Sequence, residues 1–214
     1  MKKSYLFDFD GTLVNSMPYY GGAMLSLLDE KSIKYESDII KKITPLGFMG
    51  TARYFISLGI PMTIDEIRND LGGRLYKVYS EDIPAKESVI STLTELKKRG
   101  FELNVLSAGP HVTMDVCAKR LGIDSLVSNI WSSDDFSTTK TDPNLYKRVA
   151  ERLGVNVCDI VFFDDNIDAL RSAKSAGMTV CGVYDESSHE YTDEIKALCD
   201  GYVHIMSEAL DLKL

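Results

Sequence analysis

The stretch SYLFDFDGTLVNS, residues 4–16, decides the fold, because it runs from an apolar segment straight into two aspartates and a glycine. Phe9 alone separates Asp8 from Asp10. A β-strand sends side chains i and i+2 to the same face, so the pattern predicts that both carboxylates point the same way. Two like charges at the end of a buried strand need either water or a cation beside them.

Composition sets the class of protein. The chain has 214 residues, 44% of them hydrophobic, which indicates one core domain that carries a sizeable insertion. The formal net charge of −8 argues against nucleic-acid or membrane-surface partners, which require a basic patch. Four scattered cysteines, together with an N-terminal stretch that has no apolar signal, predict reduced thiols and a cytoplasmic location.

From residue 86 onward, short apolar runs alternate with amphipathic helical patterns. Gly100, Gly122 and Gly154 each follow a helical segment, and Asp142 with Pro143 opens another. This alternation predicts an α/β fold with a doubly wound, Rossmann-like parallel sheet. After the opening run, the predicted strands are FELNVLS (101–107), LVSNIW (126–131), DIVFFDD (159–165), MTVCGV (178–183) and GYVHI (201–205).

Residues 15–84 differ in kind, since they show helical patterns and no convincing strand. One of these helices starts with Thr63 and Glu66 at capping-box spacing. We therefore predict an α/β core domain from residues 1–14 and 85–214, with a helical domain at 15–84. The insertion follows directly after the aspartate pair, a position that suits a cap or lid over it.

Polar side chains follow three of the predicted strands, and a further loop adds a lysine. In an open parallel sheet these strand ends meet at one edge, where ligands bind. The residues are Asp8, Asp10, Ser107, Asp164, Asp165 and Lys140. Four carboxylates in one crevice require a hard divalent cation, and Mg²⁺ suits a site with few carboxylates and a phosphate. The set predicts a phosphoryl-transfer site.

These motifs resemble those of the haloacid dehalogenase superfamily. DFDGT matches its first motif, Ser107 in NVLSAG its second, Lys140 its third and VFFDDN its fourth, in the family's order along the chain. The place of the helical insertion is similar to that in the capped subgroup of phosphoglycolate phosphatases and β-phosphoglucomutases. The resemblance implies the superfamily's α/β core and phosphate-ester chemistry on a small phosphorylated metabolite.

The resemblance also implies roles for individual residues. Asp8 would be the nucleophile that forms an aspartyl-phosphate, and Asp10 the acid and base that protonates the leaving alcohol and then activates water. The metal would be held by the side chains of Asp8 and Asp165 and by the backbone carbonyl of Asp10. Ser107, the backbone N–H of Ala108, and Lys140 would bind the phosphoryl group. Thr12 can tie the turn after the first motif.

The chain departs from the family in ways that leave some roles open. Where many capped relatives have a glycine before the last metal ligand, this chain has Asp164, and either Asp164 or Asp168 could supply the supporting carboxylate. In the cap loop, Phe48, Met49 and Arg53 are candidates for substrate specificity, or else parts of an ordinary helix–helix turn. The outcome could be a phosphatase, a phosphosugar mutase or a silent metabolite-binding protein. The sequence specifies neither the ester nor the oligomeric state.

Overall fold

In the computed structural model, a six-stranded parallel sheet forms the centre of the α/β part of the chain. The structure describes residues 4–43 and 46–213, without the side chains at positions 47 and 48. The strands are β1 (Ser4–Phe7), β2 (Glu102–Ser107), β3 (Asn129–Ser132), β4 (Ile160–Asp164), β5 (Thr179–Val183) and β6 (Gly201–Val203). Their order, β3-β2-β1-β4-β5-β6, reverses at β1, which creates a crevice where ligands bind in such sheets.

The chain divides into two compact units, one of Met1–Ser16 with Pro84–Leu214 and one of Met17–Ile83. The first unit holds the sheet and five helices within its described residues. These are α5 (Val89–Lys98), α6 (His111–Leu121), α7 (Pro143–Leu153), α8 (Ile167–Ala176) and α9 (Thr192–Leu198). The predicted fold class, a parallel α/β core with an inserted helical part, is confirmed.

The sheet buries apolar side chains on both faces. On one face, Leu6 and Phe162 pack in a core cluster with residues of α7, α8 and α9. Their strand neighbours point the other way, and the rings of Phe7 and Phe163 stack with centroids 4.9 Å apart. Burial on both faces explains why β4 reads as an unbroken apolar run.

Helix boundaries follow the local signals in the sequence. Asp142 caps α7 by accepting a hydrogen bond from the Asn144 N–H, and Pro143 occupies the first helical position. The boundary of β3 was predicted wrongly, because the strand begins at Asn129 rather than residue 126. Residues 126 and 127 form a turn whose two N–H groups donate to the Ile123 carbonyl, so they are not free to pair with the sheet.

The second unit contains helices and no strand within its described residues. It contains α1 (Met17–Glu30), α2 (Ile39–Ile43), α3 (Gly47–Ser57) and α4 (Ile64–Glu81). Thr63 and Glu66 form the expected capping box at the start of α4. Arg74 of α4 binds Glu30 of α1 and donates to Ser26 Oγ at 2.8 Å, so that these two helices are joined by charge as well as by packing.

The segment that leaves the α/β unit pairs with the segment that returns to it. The Asn15 N–H donates to the Pro84 carbonyl at 3.0 Å, and the Lys86 N–H donates to the Leu13 carbonyl at 2.9 Å. An antiparallel bridge between Val14 and Ala85 lies between these two bonds. The insertion therefore starts and ends at one place on the α/β unit.

Candidate active site

Two neighbouring strands of the sheet bring the acidic residues together. Asp8 directly follows β1, and its N–H donates to the Phe163 carbonyl at 2.8 Å, which extends the β1–β4 ladder. Asp164 is the last residue of β4, and Asp165 follows it. Asp8 and Asp10 do not lie on the strand itself, because β1 ends at Phe7 and Asp10 lies in the turn beyond it, bridged to Val14.

Asp8, Asp164 and Asp165 form a buried carboxylate cluster. One oxygen from each lies within 4.8 Å of the others, and each side chain is buried. Lys140 enters the cluster and pairs with both Asp8, at 2.5 Å, and Asp164. Asp164 also accepts a hydrogen bond from the Asn166 N–H at 2.7 Å. One ammonium thus faces three carboxylates, which leaves an excess of negative charge.

Burial and this excess of negative charge both shift the pKa values of the clustered side chains. Burial raises the pKa of Asp8 to about 8, with Lys140 opposing the rise and the charges of Asp164 and Asp10 adding to it. Burial, followed by the charges of Asp164, Asp8 and Asp185, raises the pKa of Asp165 well above its usual range. Burial lowers the pKa of Lys140, but the neighbouring carboxylates raise it by more, so Lys140 stays protonated.

The turn after β1 packs closely against Asp165. Gly11 has a φ of +82°, and a Cβ at this position would lie 2.7 Å from Asp165 Oδ1. Only glycine combines this backbone conformation with so close an approach. The buried Thr12 hydroxyl donates to Asp165 Oδ1 at 3.2 Å. Gly11 and Thr12 together fix where the Asp165 carboxylate lies.

The end of β2 supplies the remaining polar groups. Ser107 is buried, and its hydroxyl lies 3.5 Å from Asp10 Oδ2 and accepts a hydrogen bond from the Gly109 N–H at 2.9 Å. Ala108, between them, is exposed. Asp10 is half-buried and its side chain is not part of the carboxylate cluster. The structure thus brings Asp10 next to Ser107, at the edge of the cluster.

A divalent metal ion fits the carboxylate cluster. The donors are carboxylate oxygens, which hard cations prefer, and the single lysine leaves their charge uncompensated. Asp8, Asp164 and Asp165 are the side chains that could hold such an ion.

The structure separates the two candidates for the supporting carboxylate. Asp164 lies inside the cluster, whereas Asp168 is exposed on α8 and pairs with Arg171 at 3.1 Å. In the helical unit, Met49 and Arg53 are both exposed on α3, one turn apart. The side chain of Phe48, the other specificity candidate, lies outside the described residues.

Three residues beside the site were not found from the sequence. Tyr146 is buried in α7 and donates to the Lys140 carbonyl at 2.8 Å, which holds the backbone of that lysine. Asp185 is buried just after β5, and Lys86 reaches it from the returning segment at 3.0 Å. Asp185 follows a strand end, so the reasoning that selected Asp164 could have found it. Lys86 carries no such signal.

Comparison with known proteins agrees with this geometry. A family model described as haloacid dehalogenase-like hydrolase matches residues 2–177, which is more than three quarters of the chain. The chain belongs to this family. Membership of the haloacid dehalogenase-like hydrolases confirms the resemblance drawn from the four motifs.

The capped subgroup is also confirmed by individual relatives. The chain is 28% identical over 179 residues to the pyrophosphatase PpaX of Bacillus velezensis, which covers 83% of this chain and 81% of the relative. It is 24% identical to a phosphoglycolate phosphatase of Psychrobacter arcticus, covering 92% and 89%. A putative β-phosphoglucomutase from Thermotoga maritima has the same fold, with a TM-score of 0.84, 22% identity and full coverage of both chains.

No described helix is both long enough and apolar enough to cross a membrane.

Proposed function

We propose that the chain is a Mg²⁺-dependent phosphatase that hydrolyses a small phosphomonoester through an aspartyl-phosphate on Asp8. The observation that carries this proposal is the buried Asp8 carboxylate, paired with Lys140 and surrounded by Asp164 and Asp165. Family membership and curated relatives named as phosphatases support it.

The residues divide the chemistry between them. An oxygen of Asp8 attacks phosphorus, and the bond to the leaving alcohol breaks as Asp10 donates a proton to that alcohol. Asp10 then accepts a proton from water, whose oxygen attacks the aspartyl-phosphate, releasing phosphate and restoring Asp8. Lys140 and Ser107 bind oxygens of the phosphoryl group. Asp8, Asp165, the Asp10 carbonyl and Asp164 would hold Mg²⁺, which would neutralise charge on the phosphoryl oxygens.

The positions of Asp8 and Asp10 support this division of labour. Asp8 is buried beside Lys140, whose positive charge opposes the rise in the pKa of Asp8, and a bound cation would further favour the ionised, nucleophilic form. Asp10 is half-buried and lies outside the cluster, beside the Ser107 hydroxyl, where it can exchange protons with a leaving group or water.

We further propose that the chain works in the cytoplasm on a phosphorylated metabolite. The four cysteines are all free thiols, which suits a reducing compartment. The negative net charge suits a small substrate bound at a local positive group better than a polyanion bound across a surface.

Asp8→Asn tests the proposed function. Purified protein is assayed with p-nitrophenyl phosphate and a panel of phosphate esters, with Mg²⁺ or with chelator. We expect the wild type to turn over with Mg²⁺ only, and Asp8→Asn to lose at least about a thousandfold in kcat because it lacks the nucleophile. Mass spectrometry of acid-quenched wild-type protein should detect one added phosphoryl group.

Asp168→Asn is the matched control, since Asp168 is an exposed aspartate paired with Arg171, and it should keep wild-type turnover. Turnover that survives Asp8→Asn or chelation would refute the proposed function. Isomerisation of a hexose phosphate without release of phosphate would show a mutase instead.

A further inference from the structure

Lys86 makes three hydrogen bonds that do not belong to the chemistry proposed above. Its ammonium donates to the Gly11 carbonyl at 2.6 Å, to the Tyr184 carbonyl and to Asp185 Oδ2 at 3.0 Å. These bonds use all three N–H groups of the ammonium. Its side chain is 18% exposed and that of Asp185 is 5% exposed, so the pair is largely shielded from water.

The first of these bonds acts on the turn that carries Asp165. Gly11 lies so close to Asp165 that a Cβ would collide with its carboxylate, and Thr12 donates to the same carboxylate. The backbone of Lys86 holds this turn at a second point, since its N–H donates to the Leu13 carbonyl. Lys86 thus binds the turn on both sides of Thr12, at the Gly11 and Leu13 carbonyls.

The other two bonds fix Lys86 itself. The Tyr184 carbonyl and Asp185 both follow β5 at the carboxyl edge of the sheet. Asp185 is held in turn, because its other oxygen accepts hydrogen bonds from the Ser187 N–H at 3.0 Å and the Ser187 hydroxyl at 2.6 Å. Lys86 therefore connects the hydrogen-bonded segment after β5 to the turn after β1.

We propose that Lys86 is a positioning residue that holds the Gly11–Thr12 turn against Asp165 and so sets the place of that carboxylate for a bound metal ion. The inference rests on the proposed Mg²⁺-dependent function. Residues that orient metal ligands in this indirect way typically contribute ten- to a hundredfold to metal affinity.

Charge and positioning predict opposite effects when Lys86 is removed. Lys86→Met deletes a positive charge near the acidic cluster, and by Coulomb's law alone this should tighten the binding of a cation. If Lys86 positions Asp165, the same variant should bind Mg²⁺ more weakly. If Lys86 only supports folding, the folded variant should bind Mg²⁺ as the wild type does, with a lower melting temperature.

The test compares Lys86→Met with Lys174→Met by titration calorimetry with Mg²⁺. Lys174 is a matched control, since its ammonium also donates to a carbonyl, that of Leu198 at 2.6 Å, and to an aspartate, Asp200 at 3.0 Å. We expect the dissociation constant for Mg²⁺ to rise about tenfold in Lys86→Met and to stay at the wild-type value in Lys174→Met. Unchanged or tighter binding in Lys86→Met would overturn the proposal.

Hydrogen exchange gives a readout that needs no metal. The N–H groups of Gly11, Leu13 and Val14 are hydrogen-bonded within the turn, to the Val14 and Phe9 carbonyls. They should exchange at least about tenfold faster in Lys86→Met than in Lys174→Met, while β4 amides stay protected. If the wild type binds no Mg²⁺ but Lys86→Met still exchanges faster, Lys86 does hold the turn, and the proposed Mg²⁺-dependent function is refuted. Unchanged exchange would refute the positioning role.

Lys86→Arg keeps the experiment decisive if Lys86→Met does not fold. The planar guanidinium keeps the charge but does not reproduce the three bonds of the compact ammonium. We expect Mg²⁺ binding a few-fold weaker than in the wild type, with the Gly11, Leu13 and Val14 amides partly deprotected. Wild-type affinity and protection in Lys86→Arg would contradict the proposal.

Discussion

Gly11 illustrates how a residue without functional groups can determine the place of a carboxylate. A Cβ on residue 11 would lie 2.7 Å from Asp165 Oδ1, so this carboxylate can take its position only because residue 11 has no side chain. The strand-end reasoning selected Asp8, Asp164 and Asp165, because each of them lies at the end of an apolar run. Contacts such as that between Gly11 and Asp165 join residues far apart in sequence, and no local pattern encodes them.

Gly11→Ala should separate the backbone effect from the collision. Both Gly11 and Gly122 have positive φ, +82° and +75°, but of the two only Gly11 has a neighbouring side chain within 4 Å of where an alanine methyl group would lie. Each alanine variant should lose about 1 kcal/mol of unfolding free energy, from the left-handed backbone. Only Gly11→Ala should also weaken Mg²⁺ binding, by at least about tenfold, because Asp165 is displaced.

Thermal unfolding and Mg²⁺ titration calorimetry on both variants measure these two effects. Equal metal affinity in Gly11→Ala and Gly122→Ala would contradict the role of the close approach.

Lys86 shows the limit of sequence reasoning for single side chains. Two of its three partners are backbone carbonyls, of Gly11 and Tyr184, and every residue type presents the same carbonyl group. The partner of such a lysine is therefore defined by the path of the chain. Lys140 was predictable because its loop follows a strand at the carboxyl edge.

Helix α6 is tied to the segment that leads to Lys140. His111, its first residue, contacts Asp115 of α6 at 3.0 Å and Asp135 at 2.9 Å. Asp135 lies in a short 3-10 helix, Ser133–Phe136, whose Asp135 carbonyl accepts from Arg152 of α7. Both ring nitrogens of His111 face carboxylates, so the doubly protonated ring fits this position. The contacts join the loop after β2 to the loop after β3.

The His111 contacts should make stability depend on pH. The hydrogen bonds to Asp135 and Asp115 raise the pKa of His111. A raised folded-state pKa contributes stability that is complete below the unfolded value, about 6.5, and is lost as pH rises through the folded value. His111→Gln should therefore lower the melting temperature by about 2 °C at pH 6, as expected for a partly exposed pair, and by less at pH 9.

His189→Gln serves as the control, because the His189 ring nitrogen Nδ1 faces the carbonyl oxygen of Glu186 rather than a carboxylate. Differential scanning calorimetry at both pH values measures the effect. A His111→Gln difference of the same size at pH 6 and pH 9 would show that charge plays no part.

Secondary structure was predictable where helices carry their own caps. Asp142 with Pro143 at α7, and Thr63 with Glu66 at α4, mark starts that the structure reproduces. The start of β3 could not be predicted, because apolar residues 126 and 127 are compatible both with a strand and with a turn. The N–H groups of both residues donate hydrogen bonds to the Ile123 carbonyl, which stabilises the turn.

The α/β unit should fold without the helical unit. Its two connecting segments are hydrogen-bonded between Asn15 and Pro84, so a loop of about four residues can close the gap left by removing 17–83. The α/β unit also has its own buried core cluster. We expect a cooperative thermal transition, and a circular dichroism spectrum with both helix and strand, compared with the full-length chain. A broad, non-cooperative transition would show that the α/β unit depends on the insertion.

The parallel register of β1 has a consequence for synthesis on the ribosome. Ser4 pairs with Glu102 on one side and with Ile160 on the other, so the first strand of this sheet waits longest for its partners. Chains emerge from the amino terminus first, and pairing across such separations is slow. One hydrogen-bonding edge of β1 stays open until β2 has emerged, and the other stays open until β4 has emerged. The nascent chain therefore carries an exposed, apolar strand edge until residues 160–164 have been synthesised, and this is the interval in which chaperones would protect it.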